Sequence, residues 1–306
     1  MESNWLIMFN KTFALTIFAL FAFAANSVFC RLALGGDQID AGSFTVIRLF
    51  SGSLFLASLL FFKHYYLTPK NENKKREATS RNGSWLNALW LFIYALTFSY
   101  AYIQLDTATG ALVLFATVQV TMLIIGLCKG RSLSIAEWSG LLLAIVGFVY
   151  LLAPQISSPS LIAFILMCVS GISWAFYTLA GKQSTDPSAD TIYNFLRTLP
   201  FVFILMLINI ESSHLSLVGV INAVLSGVFA SALGYLLWYQ ALKGLRHNVA
   251  AVVQLLVPVF AAIAGFILLD ERVSITFLIS SLMILSGILL VIKNPTIKFL
   301  NKHNKP

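Results

Sequence analysis

WSGLLLAIVGFVYLLAPQISSPSLIAFILMCVSGISWAFYTLAG, residues 138–181, contains no charged side chain. One bilayer crossing takes about 20 mostly apolar residues, so this stretch is too long for a single span. Pro154 and Pro159 interrupt it. Proline has no N–H to donate and its ring clashes with the preceding turn, so a helix ends there. The reading is two membrane helices, one closing near residue 152 and the next opening near 159, on either side of the middle of the chain.

Working outward gives the same pattern in both directions. Toward the N-terminus, uncharged or nearly uncharged runs cover 107–128, 82–105, 41–62 and 12–30, with Arg48 the one charge inside the third. Toward the C-terminus they cover 191–210, which contains Arg197, then 215–242, 248–269 and 273–292. The chain reads as an all-α integral membrane protein of ten transmembrane helices. Composition agrees: 58% of the 306 residues are hydrophobic, 10% are charged and the mean hydropathy is +0.85. A soluble domain carries about 25% charged residues. Lys11, the following apolar run and Ala22-Phe23-Ala24 imitate a cleaved signal peptide. The run continues to Cys30, and the uncleaved reading is preferred because it keeps the helix count even.

The net charge of +8 sits in short loops and tails. That is the distribution of topology-setting charge, not of a nucleic-acid surface. Of the twenty Lys and Arg, sixteen fall on one side of the ten-helix layout, two (Arg31 and Arg272) on the other, and two (Arg48 and Arg197) inside helices. Both termini are therefore expected in the cytoplasm of a cell (inner) membrane protein. The basic loop KNENKKREATSRNG, residues 70–83, is expected to be disordered. Its charge could also attract anionic membrane lipid. Cys30, Cys128 and Cys168 form no disulfide or metal spacing and read as small packing residues. No metal site and no cofactor is expected.

The two halves, 12–152 and 159–293, share a layout. The second helix of each carries one arginine, in FTVIRLF (44–50) and NFLRTLP (194–200). At an offset of 140, Ala101 falls on Ala241, Leu105 on Leu245, Ser134-Ile135 on Ser274-Ile275 and Gly147 on Gly287. Five helices per half is an odd number, so the second half enters from the opposite side and the repeats are inverted. Carriers use that arrangement to alternate their access.

At this point the sequence resembles the drug/metabolite transporter (DMT) superfamily, EamA-type branch, over nearly its whole length. The resemblance lies in TVIRLFSG (45–52), SWAFYTLAGK (173–182), YLLWYQAL (235–242) and above all QLLVPVFAAIAGFILLDERVS (254–274). It implies ten helices, two EamA repeats and a central cavity that opens to either side in turn. The chain departs from the family where an acidic residue often ends the fourth helix; here Lys129-Gly130-Arg131 stands instead.

Arg48 and Arg197 are the most informative site candidates, because an arginine inside a membrane span faces protein or water. Either each anchors an anionic substrate group, or each is structural and holds helix-end carbonyls; the second reading is favoured. Asn26, Tyr100, Gln119, Trp174, Tyr177, Asn194, Tyr235, Trp238 and Gln254 complete the set of substrate-binding cavity candidates. Trp174 with Tyr177, and Asn194 with Arg197, share a helix face at a spacing of three. Pro258 is expected to kink the ninth helix. All twelve acidic residues lie at helix ends, in loops or in tails, so no carboxylate proton relay is evident. With no Walker A motif, no Ser/His/Asp set and no HExxH motif, the sequence offers no basis for an enzyme.

The expectation is a secondary transporter moving a small organic metabolite by alternating access, with amino acids or related compounds leading and export the preferred direction. The alternatives are a nonselective channel-like facilitator and a membrane protein with no transport role. The expected partners are a small-molecule substrate and membrane lipid, in a monomer or homodimer.

Overall fold

The computed structural model describes residues 2–67, 83–128, 130, 134–152, 160–182, 184, 186–245 and 253–293. Its elements are α1 (Glu2–Leu34), α2 (Ala41–Leu67), α3 (Trp85–Ala101), α4 (Thr107–Cys128), α5 (Ile135–Leu152), α6 (Ser160–Lys182), α7 (Pro187–Asn209), α8 (Leu217–Gly244), α9 (Leu256–Leu269) and α10 (Ile275–Lys293). Six of them (α1, α2, α4, α6, α7 and α8) are long and apolar enough to cross a bilayer, and the other four are shorter apolar helices. Helix is the form lipid demands, because it satisfies each backbone N–H and C=O within the segment. Pro154, Pro159 and most of the basic loop lie outside the described residues. The second helix runs on to Leu67, past the expected end at 62.

Polar side chains start the helices. Ser84 caps α3 by accepting from the Asn87 amide, and Ser216 caps α8 by accepting from the Gly219 amide. Asp186 caps α7, with Pro187 in the first turn, where its missing N–H costs nothing. Ser134 and Glu137 form a reciprocal capping box on α5. Within α8, residues Ser226–Leu233 form a π-helical segment, which hydropathy could not reveal.

Packing turns a soluble protein's pattern around. Phe18, Leu54, Phe61, Ile208, Phe266 and Leu282 point outward and are more than half exposed, while Arg48, Asn26 and Thr198 are buried inside. Helix α1 packs on α8 and α9, and α6 on α3 and α4. Helix α2 packs on α3, α7 and α8, and α7 on α8 and α3; α4 meets α9, and α5 meets α10. Glycines permit the closest contacts. A Cβ on Gly140 would lie 2.5 Å from the Gly287 carbonyl oxygen, and one on Gly287 the same distance from the Gly140 oxygen.

The loops gather at two ends. At one, Ile39 bridges Leu215, and Asp40 accepts from the Asn209 side chain (2.6 Å) and the His214 amide (2.9 Å). At the other, the Gly83 amide donates to Asp190 (2.6 Å) and the Ser84 amide to Asn194 (2.9 Å).

Candidate functional site

Helix α2 carries Arg48 into the middle of the bundle, where its side chain has no exposed surface. Its Nε donates to Ser231 Oγ (2.9 Å), and its Nη2 donates to the hydroxyls of Tyr94 (3.2 Å) and Tyr235 (3.0 Å). The guanidinium carbon lies 5.3 Å and 5.0 Å from the ring centroids of Tyr94 and Phe98, within cation–π range. Nη1 has no partner, and among the described residues no carboxylate reaches Arg48. An unpaired ion in a protein interior costs several kcal/mol even after relaxation. Two phenols, a serine and two ring faces offset only part of that.

The Tyr94 oxygen is a hub. It accepts from Asn26 Nδ2 (3.2 Å), from Arg48 and from the Tyr235 hydroxyl (3.1 Å). Asn26 Oδ1 in turn accepts from Ser226 Oγ (2.6 Å). Ser226 and Ser231 are both in the π segment of α8, so this irregular stretch presents the hydroxyls that α1 and α2 engage. Short π segments recur at functional sites because they re-aim side chains at a small cost to the helix.

Aromatic rings close around this hub. Trp174 lies 4.9 Å from Tyr94 and 4.6 Å from Tyr235 between centroids, and Phe23 packs 5.8 Å from both Trp174 and Trp238. A column continues from Trp174 through Tyr177 (5.6 Å) to Tyr239 (5.7 Å). The indole nitrogens of Trp174 and Trp238 are buried without partners. The cavity lined by Phe23, Asn26, Tyr94, Phe98, Trp174 and Tyr235 measures about 10 Å³, space for one water at most. The site is closed, with its rings packed on one another.

Each end of the bundle is latched. Glu271 accepts from the Thr107 amide at the start of α4 (2.9 Å), from the Thr107 hydroxyl and from Arg31 Nε (3.2 Å). Arg31 also holds the carbonyls of Tyr102 and Ile103 and pairs with Asp106 at 3.5 Å. Asp270 ends α9 in the left-handed conformation (φ 53°), and Gly265 leaves the space that the Glu271 carboxylate occupies. Burial pushes the Glu271 carboxyl above the usual range, against the opposing pull of the Thr107 amide and Arg31. Partial burial also acts to raise Asp40. There the Ser43 and His214 amides and the Ser43 and Asn209 side chains prevail, and hold it below its ordinary value. At the other end, a recess of about 80 Å³ is lined by Lys182, Ser184, Tyr239 and Lys243.

Of the residues expected from sequence, the fold brings together Asn26, Arg48, Trp174, Tyr177, Tyr235 and Trp238. The others are elsewhere. Tyr100 is 38% exposed on the outer face of α3, because the inward phase of that helix is Leu91, Tyr94, Phe98 and Ala101. Gln119 borders a separate small cavity with α5 and α10. Asn194 accepts from the Ser84 amide at the Gly83 end and lies beside Tyr177, at the edge of the ring column. Arg197 stacks on Tyr193 (5.8 Å), and its guanidinium lies against Gly83 at the chain's entry to α3. The arginines paired in sequence are therefore unlike in place: one is central and the other is at an end. Gln254 is buried just before α9, outside the lining of the ring cavity. The helix is interrupted at Leu255, one turn before Pro258, where the proline leaves the Gln254 carbonyl without a helical donor. Pro258 itself borders an apolar groove between α9 and α10. Cys30 is buried, whereas Cys128 is exposed and is not a packing residue. Sequence reasoning missed Tyr94, Phe98, Phe23 and Ser231. Tyr94 and Phe98 stand four apart, one face of a helix, and that spacing was their only signal.

A larger recess, about 900 Å³ between α2, α7 and α8, is not this site. Its walls are apolar and include the outward-facing Phe50, Leu54 and Phe203. Such a groove suits hydrocarbon and offers only the Ser51 and Ser58 side chains to a polar solute.

Known proteins agree with this architecture. Residues 161–293 match the EamA-like transporter family. An uncharacterized protein of Pseudomonas aeruginosa is 45% identical over 283 residues, covering 92% of this chain and 95% of its own length. An uncharacterized transporter of Archaeoglobus fulgidus is 26% identical over 300 residues, covering 92% and 98%. A crystal structure with 16% sequence identity superposes with a TM-score of 0.60 over 90% of this chain and 96% of that one, a likeness of fold. Long apolar helices, an outward apolar surface, an enclosed polar centre and a near-full-length relative lead to one conclusion: the chain is a multi-pass membrane protein and belongs to the EamA-like transporter family.

Proposed function

We propose that the chain is a secondary carrier of a small organic metabolite, working by alternating access through ten membrane-crossing helices in two inverted five-helix repeats, 12–152 and 159–293. The observation that carries this reading is the closed centre, where a buried cation and unpartnered donors are enclosed by helices from both halves. Ionisable groups held inside a membrane at such a cost typically mark a substrate or ion pathway.

The helix contacts support the repeat. Exchanging α1–α5 with α6–α10 turns the α1–α8 pairing into α6–α3, α1–α9 into α6–α4, α2–α8 into α7–α3, and α2–α3 into α7–α8. The pairs α2–α7, α4–α9 and α5–α10 map onto themselves. Local chemistry follows the same exchange. Asp40 grips the His214 amide shortly before α8, and Asp190 grips the Gly83 amide shortly before α3. Ser134 and Ser274 each cap the helix that ends a half.

In this reading the Gly83 end is cytoplasmic, as are both termini, in a cell (inner) membrane, and the protein catalyses no reaction. Amino acids or related compounds are the leading class, and export is the direction. The test is counterflow in proteoliposomes, after a thermal-shift screen of purified protein against metabolites, since a ligand that binds the folded state raises its apparent stability. A carrier accelerates exchange of labelled solute against unlabelled solute inside. Flux without accelerated exchange would identify a channel-like facilitator, and no flux of any stabilising solute would remove the transport reading.

A further inference from the structure

We infer that the species held at the centre is a small organic monoanion, a carboxylate on an apolar or aromatic body that lacks an ammonium group. This rests on the carrier reading and departs from it in substrate class, since it excludes the amino acids.

The first argument is charge. Arg48 is fully buried and, among the described residues, no carboxylate lies beside it, so the neutralising charge is supplied by what binds there. The second is the balance of donors and acceptors. Arg48 Nη1 and the indole nitrogens of Trp174 and Trp238 are buried donors without acceptors. Three further donors converge on the single oxygen of Tyr94. An ionised carboxylate accepts at about four lone-pair sites and donates at none, which is what this surplus lacks.

A single guanidinium sets the charge at one. Arg197 lies against Gly83 at the chain's entry to α3 and, among the described residues, leaves Arg48 as the only guanidinium in the ring cluster. A dianion would arrive half-compensated. An ammonium is disfavoured because it would sit beside a buried guanidinium, while the carboxylates of the latches are already engaged: Glu271 by Arg31 and Thr107, Asp190 by the Gly83 amide.

The recess at the Gly83 end has the same character. Lys182 and Lys243 flank it, and the buried Ser184 hydroxyl there has no partner. Tyr239 belongs both to this recess and to the column of rings that leads to Arg48. A basic mouth steers anions toward it.

The test uses purified full-length protein and four probes with closely matched skeletons: 3-phenylpropanoate, 3-phenylpropanamide, phenylalanine and 2-phenylethylamine. Affinity is read from tryptophan fluorescence and thermal shift. The acid is expected to bind roughly tenfold more tightly than the amino acid or the amine, a difference of about 1.4 kcal/mol. Arg48→Gln is expected to abolish that advantage, weakening the acid far more than the amide. Should that variant not fold, the affinity order of the wild-type chain decides. Association of the acid should also slow in the Lys182→Gln, Lys243→Gln double variant at low salt, and not at high salt. Equal or tighter binding of phenylalanine or the amine, or no binding of the acid, overturns the inference. Exchange of another metabolite with no binding of the acid overturns the anion assignment and leaves the carrier standing. Arg48-dependent binding of the acid without counterflow does the reverse.

Discussion

Arg48 and Arg197 occupy matching places in the sequence and different ones in space. Arg48 is enclosed by Tyr94, Tyr235 and Ser231, while Arg197 reaches Gly83. Their variants should therefore separate. Arg48→Ala is expected to lose binding of any anionic ligand found by thermal shift. Arg197→Ala should keep that affinity and lower stability by about 1 kcal/mol, the worth of a partly exposed ring–cation contact. Unchanged binding in a folded Arg48→Ala protein would end the anchor role. Asp40 offers a pH signature. Its carboxyl is held below its ordinary value by groups that bind the ionised form, so its contribution to stability is present at neutral pH. That contribution disappears as pH falls through the lowered value, below roughly pH 4. The melting-temperature difference between wild type and Asp40→Ala should be largest near neutrality and vanish in that acidic window.

At the scale of elements, the π segment of α8 is the least regular piece and the most involved. It holds Ser226 against Asn26 and Ser231 against Arg48. Gly227 lies within it, and a Cβ there would run into the Arg48 carbonyl and Ser51 Oγ. Gly227→Val is expected to force α2 and α8 apart at a cost of about 1–3 kcal/mol, the usual range for overpacking. Thermal unfolding in detergent would measure it, and an unchanged melting temperature would contradict so close an approach. The inward face of α3 illustrates what was hidden. Soluble helices announce their buried side by contrast with a polar one. In lipid both sides are apolar, so choosing between Tyr100 and Tyr94 from sequence had little to rest on.

For the molecule as a whole, the centre is shut and the Glu271 end is latched across α1, α4 and the turn after α9. Removing the latch should loosen that end without unfolding the bundle. In a Glu271→Gln protein, a cysteine placed at Phe98 is expected to react faster with a water-soluble maleimide than in the parent, once the exposed Cys128 has been replaced. Stability should fall by about 1–3 kcal/mol, the cost of leaving buried polar groups poorly satisfied. Equal labelling rates would show that the clasp does not control access.

The sequence by itself determined the membrane setting, the helical class and the boundaries of most helices. Those follow from the length of apolar runs, the positions of proline and the scarcity of charge, all local properties of a chain in lipid. It also singled out Arg48, because a charge inside an apolar run is visible without any partner. Only the tertiary structure decided which polar residues meet. It joined Arg48 to Tyr94 and Ser231, sent Arg197 to a helix entry, turned Tyr100 outward and brought Glu271 to Thr107, 164 residues away. The reason is physical: between apolar helices, facing is set by close packing at glycines and by a few hydrogen bonds, and neither leaves a period in the sequence.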